Sequence, residues 1–152
     1  WQKYKVKQSM KSNRYTTPQD TEAAFYEALE NADLAAMMAV WAEDEDIVCV
    51  HPGGPRLTGT AAIRESWRRI FTQGPTLRFR LSDLQMVRGA LLAVHSLHEH
   101  ILISGQQEPQ PPVITTNVYT LTEQGWRMVM HHASLAPSAV EGRNGTSSGM
   151  LH

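Results

Sequence analysis

Between Thr76 and Arg88 the apolar residues change sides. Leu77, Phe79 and Leu81 are odd-numbered, whereas Leu84 and Met86 are even-numbered. Successive side chains on a strand point to opposite faces, so a stripe that stays on one face cannot change parity without an extra residue. A β-bulge at Ser82-Asp83 is therefore expected, with a strong bend in the strand. Bent strands let a sheet curl, and a curled sheet needs elements to fill its concave side.

The segments before Thr76 supply that filling. Thr17-Pro18-Gln19-Asp20 reads as a helix start: Thr17 caps, Pro18 suits the first helical position, and Asp20 places a carboxylate in the first turn. Ala24, Phe25, Ala28, Leu29 and Ala32 give that helix an apolar face. Asp33 caps a second helix, in which Leu34, Met37, Met38 and Trp41 recur at helical spacing. Glu43 to Asp46 is an acidic connection without the spacing or glycine of a calcium loop. Ile47 to His51 is a short strand, Pro52 to Pro55 a turn, and Arg56 to Thr58 a small partner strand. A third helix opens at Gly59-Thr60, buries Ile63, Trp67, Ile70 and Phe71, and closes at Gln73-Gly74-Pro75.

The remainder reads as strands. After Thr76–Arg88 comes a long strand from Leu91 to Ile103, then a polar, proline-rich loop. Val113 to Thr122 and Trp126 to Leu135 form a hairpin across Glu123-Gln124-Gly125. Helices segregated from an antiparallel meander make an α+β domain. A cavity is expected between sheet and helices.

The chain's 152 residues suit one core. No apolar run approaches the ~20 residues of a membrane helix. A single cysteine, Cys49, excludes an internal disulfide and a cysteine-built zinc cage, and fits a reducing, cytoplasmic setting. All four lysines and no acid precede residue 12, and the first acid is Asp20. This break assigns 1–16 to a basic segment outside the domain, with 1–9 as upstream sequence. The domain is 17–137, and the Gly- and Ser-rich 138–152 is a flexible tail. The rival reading of the lysines, a nucleic-acid arm, lacks the sustained cationic surface that phosphate binding needs. No nucleic-acid or membrane partner is expected.

Several polar residues interrupt the apolar faces. His51 ends the first short strand beside the Pro-Gly-Gly turn; it is either a ligand contact that titrates near neutral pH or a ring fixing the turn. In HSLHEH, His98 and His100 share one face, and His95 and Glu99 the other. The odd face also holds Leu91, Ala93, Leu97, Ile101 and Ile103, so it should look inward. That makes Glu99 a candidate general base with a raised pKa and His95 its candidate partner, unless the carboxylate merely meets Arg78 or Arg80. A metal would need a third ligand, such as His132, that the spacing does not bring in; no metal and no cofactor are expected. Asn117 and Tyr119 share a face and would present an amide and a phenol to a ligand, or satisfy each other. His132 follows the parity of Trp126, Met128 and Met130 and should face inward. Trp41 ends a stripe whose ordinary use is core packing. No nucleophile elbow surrounds Ser66, Ser82, Ser96 or Ser104.

The runs AFYEALENADLAAMMAVWAEDEDIVCVHPGG, LTGTAAIRESWRRIF and TTNVYTLTEQGWRMVMHHASL, in this order, resemble the nuclear transport factor 2-like superfamily, in particular its SnoaL-like branch. The resemblance covers roughly 18–137. It implies a cone-shaped α+β barrel, a curved antiparallel sheet on three N-terminal helices, with a pocket at the open end near His51. It also implies homodimers through the outer sheet face. Relatives include isomerases, cyclases, dehydratases, carriers and kinase association domains, so the fold leaves function open. Asn117 in TTNVY stands where kinase association domains carry a pocket arginine, and Met130 replaces the first histidine of an HxHxS-like ending whose second is His132. The expectation is a domain binding a small apolar or amphipathic molecule and moving a proton on it without a cofactor. Trp41, His51, Asn117, Tyr119 and His132 would bind, and His95 or Glu99 would be the acid–base group. The alternative is a non-catalytic association module.

Overall fold

The computed structural model describes residues 14–137. The expectations for 1–9 and for the 138–152 tail lie outside the described residues. Three helices come first: α1 (Pro18–Glu30), α2 (Leu34–Val40) and, after β1 (Val48–Val50) and β2 (Arg56–Thr58), α3 (Thr60–Gln73). Four long strands follow: β3 (Leu77–Arg88), β4 (Leu92–Ile103), β5 (Val113–Thr122) and β6 (Gly125–Leu135). They form one curved, open sheet ordered β2-β1-β6-β5-β4-β3, antiparallel throughout except where β1 runs parallel to β6.

Local chemistry accounts for the helix starts. Thr17 Oγ accepts from Asp20 N at 3.0 Å, and Asp33 Oδ1 accepts from Ala36 N at 3.0 Å. Phe25, Ala28 and Leu29 of α1 are buried as the pattern requires, but so are Thr21, Glu22 and Tyr26. The buried stripe of α1 is thus centred one step around from the apolar one, and it carries a carboxylate and a phenol into the core.

The parity change in β3 is a bulge. The β3–β4 register shifts between Ser82 and Gln85, and Asp83 adopts φ 54°. A second bulge lies in β6. Val118 pairs with Met130, but the next residue, Tyr119, pairs with Met128, which leaves Val129 as the extra residue. Inward parity therefore switches along β6: Trp126 and Met128 are buried before it, His131 and Ala133 after it. The core lies between the concave sheet and the helices, around Phe25, Met37, Trp41, Ile63, Trp67 and Leu97. Among the described residues no helix is long and apolar enough to cross a membrane.

Candidate functional site

Three inward-facing strand columns and one face of α1 meet in a buried polar network. β4 contributes His95 and Glu99, β5 contributes Asn117 and Tyr119, β6 contributes His131, and α1 contributes Glu22 and Tyr26. Register explains the juxtaposition: Asn117 lies directly between His95 on β4 and His131 on β6. Directly opposed side chains share a face and come within reach of one another.

The hydrogen bonds converge on two carboxyl groups. Glu22 Oε2 accepts from Tyr119 Oη at 2.6 Å and from Asn117 Nδ2 at 3.3 Å, and lies 2.9 Å from His95 Nδ1. Tyr26 Oη donates to Glu99 Oε2 at 2.6 Å and itself accepts from Asn117 Nδ2 at 3.2 Å. His131 Nδ1 lies 2.6 Å from Asn117 Oδ1. As a carbonyl oxygen can only accept, the His131 proton is on Nδ1. Asn117 thereby links both histidine-bearing strands to both carboxyl groups.

Burial sets the protonation of this network. Loss of solvent pushes the Glu99 carboxyl up to about 7, against the pull of the Tyr26 and Thr115 hydroxyls. The same loss of solvent holds His131 down at about 3, so its ring is neutral. Tyr26 and Tyr119 are raised well above the usual phenol value, first by burial and then by the neighbouring carboxyl groups, and so remain donors. Near pH 7 Glu99 is therefore able both to give and to take a proton.

The remaining expected residues fall into three places. His51 is half-buried on the α3 side, with Nε2 2.6 Å from Ser66 Oγ and its ring edge-on to Trp67 at 4.7 Å. Desolvation lowers its pKa. Trp67 continues toward the network through a ring contact with His131 at 6.2 Å. Trp41 is buried, and the indole N–H groups of Trp41 and Trp67 have no acceptor among the described residues. His132, by contrast, is exposed; the Val129 bulge turns it out and turns His131 in, which corrects the inward placement expected from parity.

His95 and Glu99 do not pair with each other. Leu97 stands between them on the same face, and four residue steps along the strand separate them by roughly 13 Å. Each has a partner on α1 instead, and Arg78 meets Glu30 at 3.6 Å rather than Glu99. His98 and His100 lie on the outer face, where His98 Nδ1 is 3.1 Å from Asp83 and His100 Nε2 is 2.7 Å from Ser82 Oγ. Among the described residues no group of three histidine, cysteine or acidic side chains could hold a metal ion.

Among the described residues the inner polar side chains hydrogen-bond to one another. A groove of about 290 Å³ does exist, but it is lined by residues at the ends of α1 and α3 and contains none of the expected site residues. Sequence reasoning missed Glu22, Tyr26 and His131. The signal for the first two was present: positions 22, 26 and 29 are spaced i, i+4, i+7, so whichever face buries Leu29 also buries them. His131 depended on a bulge that no pattern in β6 announced.

The SnoaL-like domain model matches residues 19–138. A structure from Thiobacillus denitrificans, provisionally described as a calcium/calmodulin-dependent protein kinase type II association domain, is 37% identical, covers 82% of this chain and 98% of its own, and superposes with a TM-score of 0.77. A Streptomyces avermitilis structure, provisionally described as a dehydratase of the nuclear transport factor 2-like family, is 30% identical over 78% of this chain and 92% of its own, with a TM-score of 0.72. The F-box protein SKIP8 of Arabidopsis thaliana is 22% identical over 111 residues, 73% of this chain and 46% of that protein. The chain therefore spans about half the length of the curated relative that it matches.

Proposed function

This chain belongs to the SnoaL-like branch of the nuclear transport factor 2-like superfamily, and from that premise we propose that its interior binds a small, mostly apolar molecule and moves a proton on it, with Glu99 as the proton-carrying group. The observation that carries this reading is the Glu99 carboxyl itself. It is buried, held by a phenol at 2.6 Å and poised at about 7. Isomerisation, cyclisation and dehydration all require such a group beside the substrate. His95, fixed through Nδ1 by Glu22, is the second acid–base candidate at the other end of the network. The N–H groups of Trp41 and Trp67, without an acceptor among the described residues, fit a ligand that brings an acceptor oxygen, such as a carbonyl. His51, Asn117 and Tyr119 would orient it. No cofactor is needed for this chemistry, and the lone buried thiol of Cys49 suits a cytoplasmic setting.

The test is a thermal-shift screen of small carbonyl compounds, followed by deuterium uptake at the carbon next to the carbonyl of any hit. The expected result is exchange that is abolished in Glu99→Gln while binding persists, and a wild-type rate with an inflection near pH 7. Exchange unchanged in Glu99→Gln would sink this role.

A second reading, a non-catalytic association module, has its own support. The outer sheet face shows apolar side chains, with Val87 72%, Leu102 60% and Leu92 51% exposed. Val87, Val94, Val118 and Met130 form one row across four strands of that face. A homodimer through this face would cover the row, and the association-domain relative favours such a use. Sedimentation of wild type against Val118→Asp reads this directly: a dimer that becomes a monomer supports it, and a wild-type monomer refutes it.

A further inference from the structure

The groove between the ends of α1 and α3 lies apart from the polar network and has a chemistry of its own. Its apolar floor is Leu29, Ile70, Phe71 and Leu77, and Glu30 stands at its side. Two helices of 13 and 14 residues end here, and neither has a basic residue in its last turn. Helix C-termini carry partial negative charge, which a cation nearby would offset. At the end of α3 the Gly74 N–H closes on Ile70 O, but the following Pro75 has no N–H to offer Phe71 O. The cation in reach of Glu30 is Arg78, at the long distance of 3.6 Å, with its side chain 64% exposed. Such an exposed pair is weak.

We infer that this groove is a binding site for a small amine. A protonated nitrogen sits among Glu30 and the two helix ends, and an apolar body lies on Leu29, Ile70, Phe71 and Leu77. The same field disfavours oxyanions. A volume of about 290 Å³ admits a body of roughly six to ten heavy atoms. Arg78 competes with the ligand for Glu30 and therefore weakens binding.

Titration calorimetry with n-hexylamine, n-hexanol and n-hexanoate at pH 7 tests this, since the three share one tail and differ in head charge. The expected order of affinity is amine, then alcohol, then carboxylate. Glu30→Gln should weaken hexylamine about three- to five-fold and leave hexanol unchanged, the scale of one partly exposed charge contact. Arg78→Ala should strengthen hexylamine by a similar factor. No hexylamine binding, equal affinity for hexanoate, or unchanged hexylamine affinity in Glu30→Gln would each overturn the assignment. None of these outcomes touches the role of Glu99, because no residue of the network lines the groove.

Discussion

Strand β4 places histidines on both of its faces, and the two faces treat them differently. On the inner face His95 is buried against Glu22, and Glu99 lies in the same core against Tyr26. On the outer face His98 and His100 meet Asp83 and Ser82 at the sheet surface. Water can replace any partner lost outside, whereas inside each polar atom depends on one particular neighbour. The inner face of the sheet is where Glu99 of β4 can be held at about 7 and His131 of β6 at about 3. Chemistry of this kind follows from the environment a residue enters, not from the residue alone.

The contrast is broken most severely by Glu22→Ala. It removes the acceptor shared by His95, Asn117 and Tyr119, and should cost about 3–5 kcal/mol in urea unfolding, the scale for stranding buried partners. His98→Ala on the outer face should stay within about 0.5 kcal/mol. Equal costs would mean the inner network is solvated.

Next in size are two opposed pH effects. Glu99 rises from its ordinary 4.5 to about 7, so the folded state holds a proton that the unfolded chain releases, and stability falls as pH rises through that window. His131 drops from 6.5 to about 3, so the unfolded chain binds a proton that the fold refuses, and stability falls as pH drops below 6.5. Between roughly pH 4.5 and 6.5 the two slopes oppose each other, each up to about 1.4 kcal/mol per pH unit. Urea titrations across that range should therefore show stability rising with pH in Glu99→Gln and falling with pH in His131→Asn. Parallel slopes in the two variants would contradict the assigned protonation states.

Tyr26→Phe removes one buried hydrogen bond and should cost about 1–2 kcal/mol. It should also raise the Glu99 pKa further, because the phenol's hydrogen bond pulls it down; carboxyl carbon chemical shifts would report this. The smallest effect belongs to His132→Ala, expected within about 0.5 kcal/mol because the ring is exposed. A large loss there would place His132 back inside.

Much of this was legible in residue patterns. Thr17 and Asp33 mark their helix starts, because a cap is a contact between residues two or three apart. The β3 bulge is legible because an apolar stripe flips across it. The inward turn of Glu99 follows from five apolar neighbours of the same parity. The Val129 bulge was not legible: Met128, Val129 and Met130 are all apolar, so inserting one residue among them leaves no trace in the pattern.

The sequence by itself determined the order of elements, the bend in the sheet and the face of β4 that turns inward. Each depends on periodicities of two or 3.6 residues, which local sterics impose on any chain. The tertiary structure alone decided that Glu22 and Tyr26 arrive opposite Asn117, and that His131 rather than His132 joins them. Those neighbours lie from 14 to 95 residues apart, and register, not spacing, sets their meeting.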